Sequence, residues 1–235
     1  MATPLLDQMV ALLRRSALLD TLPDPELREL ATRVHRSEHD SGDPIFHKGD
    51  EGSGMMIVMR GRVKITSVGL SGGEVILNVI EAGQVFGEMA LIDGEPRSAD
   101  AVAARPSEIL TVLRRDFLPL LKRHPNAALQ MMVVLSQRIR QTTQFVEDAV
   151  FLDVPTRLLN RIVLLVKAYG REDPESGSIR IDHGFTQQDL ADSVGLTRVS
   201  INRQLGAWQD RGLIDKGRGW IAIPDLDALD DFVRG

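Results

Sequence analysis

The 235-residue chain contains no cysteine. That removes disulfides, thiolate nucleophiles, iron–sulfur clusters and cysteine-based zinc sites from consideration. No apolar run approaches the roughly 18 residues that a membrane span needs. Residues Met1 to Asp7 lack a basic region followed by an apolar core, so neither a signal peptide nor a membrane partner is expected, and a cytoplasmic location is the default. Excess positive charge is missing as well: 28 Lys and Arg stand against 33 Asp and Glu, a net charge of −5. Indiscriminate nucleic-acid binding is disfavoured, and any DNA contact has to come from a local basic surface. No metal-ligand cluster, P-loop or nucleophile–base pair is evident, so neither a metal nor an enzymatic activity is expected. What is present, 43% hydrophobic and 26% charged residues, suits one large or two modest globular domains.

Leu5, Leu6, Met9, Val10, Leu12, Leu13, Ala17 and Leu18 recur at helical spacing, predicting an amphipathic helix over residues 5–19. Glu26 to Val34 reads as a second helix. From about residue 36 short apolar segments alternate with glycines: Ile45-Phe46, Met55 to Met59, Val63 to Ile65, Val75 to Ile80 and Ile109 to Leu113. Short strands separated by glycine turns predict a β barrel or sandwich. Asp116 to Leu121 is a further short helix, and a long one runs from Asn126 to about Phe151. Along it Leu129, Met132, Ser136, Ile139, Thr143, Val146 and Val150 recur in alternating steps of three and four. That is a coiled-coil seam over three heptads and predicts a parallel homodimer, the alternative being an isolated solvent-facing helix. Pro155 is expected to end this helix at a hinge, Leu152-Asp153-Val154.

Beyond the hinge come an apolar helix with Leu158, Leu159, Ile162, Val163, Leu165 and Val166, a polar loop from Gly170 to Gly177, and a strand at Ser178 to Ile181. Thr186, with Asp189 three residues on, comes close to a capping box. Gly195 then turns the chain, and Thr197 caps a helix whose inner face holds Val199 or Ile201 with Leu205. Gln204 stands where such a helix usually buries an apolar residue. Helix, glycine turn and helix at this spacing make a helix-turn-helix, and Leu213 to Ile223 adds a hairpin wing. The alternative is a plain helical hairpin. Arg198, Arg203, Arg211, Lys216 and Arg218 face only Asp210 and Asp215 between Thr197 and Trp220, so this surface is locally basic.

One stretch inside the β region stands out: Phe86-Gly87-Glu88-Met89-Ala90-Leu91, followed by Pro96-Arg97-Ser98. Glu88 offers two acceptors, and Arg97-Ser98 pairs a cationic fork with a hydroxyl. Arginine grips phosphate oxygens bidentately, and glycine lets amides approach a phosphate. A small ligand bearing hydroxyls and an anionic group fits these types. A surface turn with an ordinary Glu–Arg ion pair fits the stretch equally well when it is taken alone.

Taken together, these segments resemble the cyclic-AMP receptor protein/FNR family of bacterial transcription regulators over residues 18 to 225. Gly87 to Leu91 with Pro96-Arg97-Ser98 is similar to that family's phosphate-binding cassette. Phe151-Leu152-Asp153-Val154 with Arg157 is similar to its hinge, and Thr197-Arg198 through Arg203 to its recognition helix. The resemblance implies an α+β chain. A cyclic-nucleotide-binding β-roll, of double-stranded β-helix or jelly-roll type with N-terminal helices, would occupy residues 1–122. A dimerisation helix and hinge would occupy 123–154, and a winged helix-turn-helix DNA-binding domain 155–235. It implies that Glu88 accepts from a ribose 2′-hydroxyl and that Arg97 pairs with the cyclic phosphate. Ser98 and the backbone at Gly87, Met89 and Ala90 would assist, with Thr142 and Thr143 touching the purine. The implied effector is a cyclic nucleotide, cyclic AMP first and cyclic GMP or a cyclic dinucleotide as alternatives, and DNA binding without nucleotide is the remaining one. The implied partners are double-stranded DNA, a second copy of the chain and RNA polymerase, the last by way of the loop Arg171 to Gly177. On DNA, Arg198 and Arg203 would read guanine, and Val199 would meet a thymine methyl where the family's best-known members carry glutamate. Asn202 lies within the same helix, while Thr186, Gln188, Thr197 and Ser200 would position the protein on phosphates.

Overall fold

The structure, a computed structural model, describes residues 4–69, 72–182 and 184–235. It divides into two compact units, Met1–Ser67 with Leu77–Arg140, and Val68–Ile76 with Gln141–Gly235. The first begins with α1 (Pro4–Leu13) and α2 (Asp24–Ala31). α1 ends six residues before the sequence pattern does, because the carbonyls of Leu12 and Leu13 close three-residue turns onto the amides of Arg15 and Ser16. The apolar pattern persists past that point because Leu18, Leu19 and Leu22 remain buried in the turns that follow. Leu5, placed on this helix's inner face by its spacing, has its side chain outside the described residues.

Strands β1 (His35–His39), β2 (Pro44–Phe46), β3 (Gly54–Val68), β4 (Glu74–Glu81) and β5 (Val85–Phe86) follow. After them come the short helix α3 (Glu88–Asp93) and strand β6 (Asp100–Leu113). The sheet runs β1-β6-β3-β4, with β2 paired to β6 and β5 to β3. Two apolar segments that read as separate strands, Met55 to Met59 and Val63 to Ile65, are one strand, β3. Between them the register against β6 shifts around Arg60 and Arg62, with Gly61 at φ 92°. Gly61 is therefore a bulge rather than a turn, and a Cβ there would strike Ser107. β1, His-Arg-Ser-Glu-His, has no apolar residue to announce it and is held by antiparallel pairing to β6.

β3 is buried on both faces, and its two-residue period sorts its side chains into two cores. Met55, Ile57 and Met59 join Leu13, Leu27, Leu30, Leu110, Phe117 and Leu120 beneath the helices. Val58 and Val63 join Ile80, Phe86, Ala101 and Ile109 inside the roll. α4 (Arg114–Arg123) leads into α5 (Pro125–Phe151). Ala127 and Met131 of α5 are buried in the helix-side core, whereas Leu129, Met132, Ile139, Val146 and Val150 of the predicted seam are exposed.

In the second unit Pro155 lies in the first turn of α6 (Val154–Tyr169), where its missing amide costs nothing. It opens the new helix rather than closing the old one, and Asp153 caps it through the amide of Thr156 at 3.0 Å. Strands β7 (Gly170–Glu172) and β8 (Ile179–Ile181), helices α7 (Gln187–Asp192) and α8 (Arg198–Gln209), strands β9 (Asp215–Gly217) and β10 (Trp220–Ile223), and helix α9 (Leu226–Arg234) complete the chain. A four-stranded sheet, β7-β8-β10-β9, carries the wing hairpin. Its first strand comes from the segment that reads as loop. Leu158, Leu159, Ile162, Leu190, Ala191, Ile201, Leu205 and Trp208 are buried. Of the two candidates for the inner face of α8, Ile201 is buried and Val199 is 77% exposed.

Candidate functional site

The stretch Phe86 to Ser98 folds around α3. Gly87 takes a left-handed conformation (φ 69°) ahead of the helix, and no side chain caps the first turn. The amides of that turn, those of Met89 and Ala90 among them, are therefore left as donors. At the other end, the Ala90 carbonyl accepts from the Gly94 amide at 3.1 Å and from Arg114 Nη1 at 3.3 Å. Arg97 is fixed by its backbone: its amide donates to Asp50 O and its carbonyl accepts from the Gly49 amide, both at 2.9 Å.

Glu88 and Arg97 are both buried, but they do not pair with each other. Glu88 is completely inaccessible, and Arg138 of α5 places Nη1 2.9 Å from its Oε1. That contact is an ion pair without hydrogen-bond alignment. Burial pushes the Glu88 carboxyl above its ordinary range, opposed by the charge of Arg138, by its own amide and by Arg97. Arg138 is anchored in turn by donating Nη2 to the Val85 carbonyl.

Arg97 donates Nη1 to the Gly87 carbonyl at 2.6 Å, and its guanidinium carbon lies 4.4 Å from the centre of the Phe46 ring. Its Nε has no acceptor, and Nη2 meets only the Met56 sulfur at 3.9 Å. The side-on edge of the fork thus meets no oxygen acceptor, in a site where desolvation already pulls the guanidinium below its ordinary pKa. Ser98, exposed, sets its hydroxyl 3.7 Å from the sulfur of Met89, itself 47% exposed. A buried acceptor pair on one side and a buried, open donor edge on the other can hold a ligand that brings both hydroxyls and an anion.

Gly87, Glu88, Met89, Ala90, Arg97 and Ser98 are thus gathered in one place. Thr142 and Thr143 are exposed on α5. Arg138 is the member that residue types and spacing did not bring out. The available signal was its position one helical turn before Thr142, the i,i+4 relation of residues that share a helix face.

In the second unit the capping box at α7 is complete: Thr186 Oγ1 accepts from the Asp189 amide at 3.0 Å, and Asp189 accepts from the Thr186 amide at 2.8 Å. Gln188 donates to Asp192 at 2.7 Å. Thr197 caps α8 by accepting from the Ser200 amide at 3.2 Å. Arg198, Val199 and Arg203 are exposed, with Val199 and Arg203 one turn apart on the same face. Asn202 differs from its neighbours: it is half-buried, and its Oδ1 lies out of solvent without a partner. Arg218 is exposed at the tip of the wing.

A family model for the cyclic nucleotide-binding domain matches residues 36–124, and one for the Crp-like helix-turn-helix domain matches residues 156–232. The chain is 26% identical over 221 residues to the CRP-like cAMP-activated global transcriptional regulator of Mycobacterium tuberculosis, covering 94% of this chain and 98% of that one. It is 32% identical over 192 residues to the global nitrogen regulator of Synechocystis sp., covering 81% and 84%. Among solved structures, the c-di-GMP responsive global regulator CLP of Xanthomonas campestris shares the fold, with a TM-score of 0.74 at 22% identity over 86% of this chain and 99% of that one. These relatives are regulators rather than enzymes. With a cyclic nucleotide-binding domain match ahead of a Crp-like helix-turn-helix match, and relatives aligned over most of both chains, the chain belongs to the CRP/FNR family of transcription regulators.

Proposed function

We propose that this regulator is a homodimer gated by cyclic AMP. In this reading residues 1–122 sense the nucleotide, 123–154 dimerise and relay, and 155–235 read DNA. The observation that carries it is a buried carboxylate that has an ion-pair contact to Arg138 but no aligned hydrogen bond on either oxygen, together with a buried arginine whose Nε lacks an acceptor and whose Nη2 meets the Met56 sulfur. A ribose 2′-hydroxyl donates to Glu88, the cyclic phosphate takes the open edge of Arg97 with Ser98 and the α3 amides beside it, and Thr142 and Thr143 serve the purine. Nucleotide shifts the protein toward a DNA-competent state only insofar as it binds that state more tightly than the other. In that state two copies of α8 enter successive major grooves about 34 Å apart on a palindromic site, with Arg198, Val199 and Arg203 on the bases.

Side-by-side calorimetric titrations with cyclic AMP, cyclic GMP and cyclic di-GMP, each followed by a gel shift, test the proposal. Cyclic AMP should bind most tightly and should be required for the shift, and Arg97→Ala should lose most of that affinity. Preference for another nucleotide reassigns the effector. DNA binding that ignores every nucleotide overturns the gating, and unchanged affinity in Arg97→Ala overturns the site.

A further inference from the structure

An arginine grips an anion side-on only if its plane is held still, and in this cassette no carboxylate holds it. Glu88 has its contact with Arg138, and Glu88 and Asp50 act on Arg97 only through their fields. Besides the Met56 sulfur, a weak acceptor 3.9 Å from Nη2, two groups hold the guanidinium. The Gly87 carbonyl takes Nη1 at 2.6 Å, and the Phe46 ring lies under the guanidinium at 4.4 Å. Phe46 is itself pinned. β2 pairs it with Ala101 of β6, and its ring stacks on the fully buried Phe86 ring at 5.9 Å and 26°.

We propose that Phe46 is the positioning residue of the anion grip: its ring fixes the plane of Arg97 so that the Nε–Nη2 edge stays open to the ligand. The inference rests on reading the cassette as a cyclic-nucleotide site. Its physical content lies in what a ring does that a carboxylate does not. An ion pair would orient the guanidinium but would neutralise it and occupy the edge that a phosphate needs. A ring face attracts the cation through its quadrupole, leaves the full charge in place and takes none of its N–H donors. An aliphatic side chain would fill the same volume without that attraction. The stack onto Phe86 ties the ring to the roll's interior core, so the orientation of one buried arginine is set by strand pairing and core packing.

The test uses the full-length protein and four forms: wild type, Phe46→Leu, Phe46→Tyr and Arg97→Ala. Cyclic AMP affinity is measured by calorimetry, and the Arg97 Nε–H resonance is followed in ligand-free protein by 1H–15N spectroscopy. Phe46→Leu should weaken cyclic AMP roughly three- to thirty-fold, while Phe46→Tyr, which keeps the ring, should bind as the wild type does. In the wild type the Nε–H should be sharp and shifted upfield by the ring face. In Phe46→Leu it should move downfield and broaden while the resonances of the rest of the fold stay in place. Wild-type affinity in Phe46→Leu, or an unmoved Nε–H, overturns the proposal while Arg97→Ala still reports on the nucleotide site. If the wild type binds no cyclic nucleotide, the reading of the cassette falls, and the Nε–H resonance decides the role of Phe46 by itself.

Discussion

At the scale of single residues the cassette buries two ionised groups, Glu88 and Arg97, at a cost to the fold that the proposed nucleotide site would explain. Glu88 titrates above its ordinary value in the ligand-free protein because desolvation by burial outweighs the opposing charge of Arg138, its own amide and Arg97. A raised folded-state pKa gives a stability contribution that is complete below the unfolded value and is lost as pH rises through the folded one. Ligand-free Glu88→Gln should therefore melt higher than the wild type at neutral pH, with the difference vanishing in acid. The same substitution should weaken cyclic AMP roughly ten- to hundred-fold, as expected for hydrogen bonds to a charged acceptor. Wild-type affinity should rise with pH from the ordinary carboxylate range up through the raised Glu88 value, with protons released on binding. Calorimetry in buffers of different ionisation heats measures both, and a flat affinity across that range would count against Glu88 as the acceptor. Gly52 is the other exacting position. A Cβ there would overlap that of Ala90, with the Arg97 guanidinium carbon 3.5 Å away. Gly52→Ala should thus push α3 off its seat, costing about 1–3 kcal/mol of stability by overpacking and most of the nucleotide affinity, as read by melting and titration. That Glu88 and Arg97 are buried rather than an exposed ion pair was not legible in the stretch itself, which fits an ordinary charged turn equally well. Gly52 read as one turn glycine among many and Phe46 as a strand residue, since nothing in a linear sequence says which backbones touch.

At the scale of elements, legibility followed periodicity. The long helix, the helix-turn-helix and the Thr186 and Thr197 caps came through because period 3.6 and cap chemistry are local. β1 is polar throughout, and its pairing to β6 is a long-range event with no local signature. α9 lies beyond the wing hairpin, where the sequence pattern had stopped informing, although Leu229 is fully buried and α9 packs on α6. Pro155 was misplaced by one element because the same residue that stops a helix also starts one, and Asp153 decides between the two. Its carboxyl is held below its ordinary range first by the Thr156 side chain and then by the Thr156 amide. Asp153→Ala should therefore destabilise the second unit by about 0.5–2 kcal/mol in chemical denaturation. The sign of its pH dependence is opposite to that of Glu88: the contribution is present above the unfolded carboxylate value and fades as pH falls through the depressed one. A variant that unfolds like the wild type at neutral pH would show that the α6 start is held by packing alone.

At the scale of the whole molecule, the proposed homodimer rests on α5. Its inner face is spent on Ala127 and Met131 in the helix-side core, with Val134 and Leu135 packed against it. Its outer face repeats Leu129, Met132, Ser136, Ile139, Thr143, Val146 and Val150, and all seven are exposed. Seven heptad-spaced positions without cover are what a parallel coiled coil leaves when one strand is viewed alone. Because these side chains contribute nothing to the folded chain's own core, charges introduced there should separate the copies without unfolding either one. Ile139→Asp with Val146→Asp should therefore give a monomer by light scattering with little change in melting of the isolated chain. DNA affinity should fall roughly a hundred-fold or more, because one helix-turn-helix has lost the second half-site that its partner would hold at high effective concentration. The decisive comparison is between a palindrome and a single half-site. Wild type should prefer the palindrome strongly, whereas the double variant should bind both alike. A double variant that still runs as a dimer, or that keeps the preference, would place the contact between copies somewhere other than this face of α5.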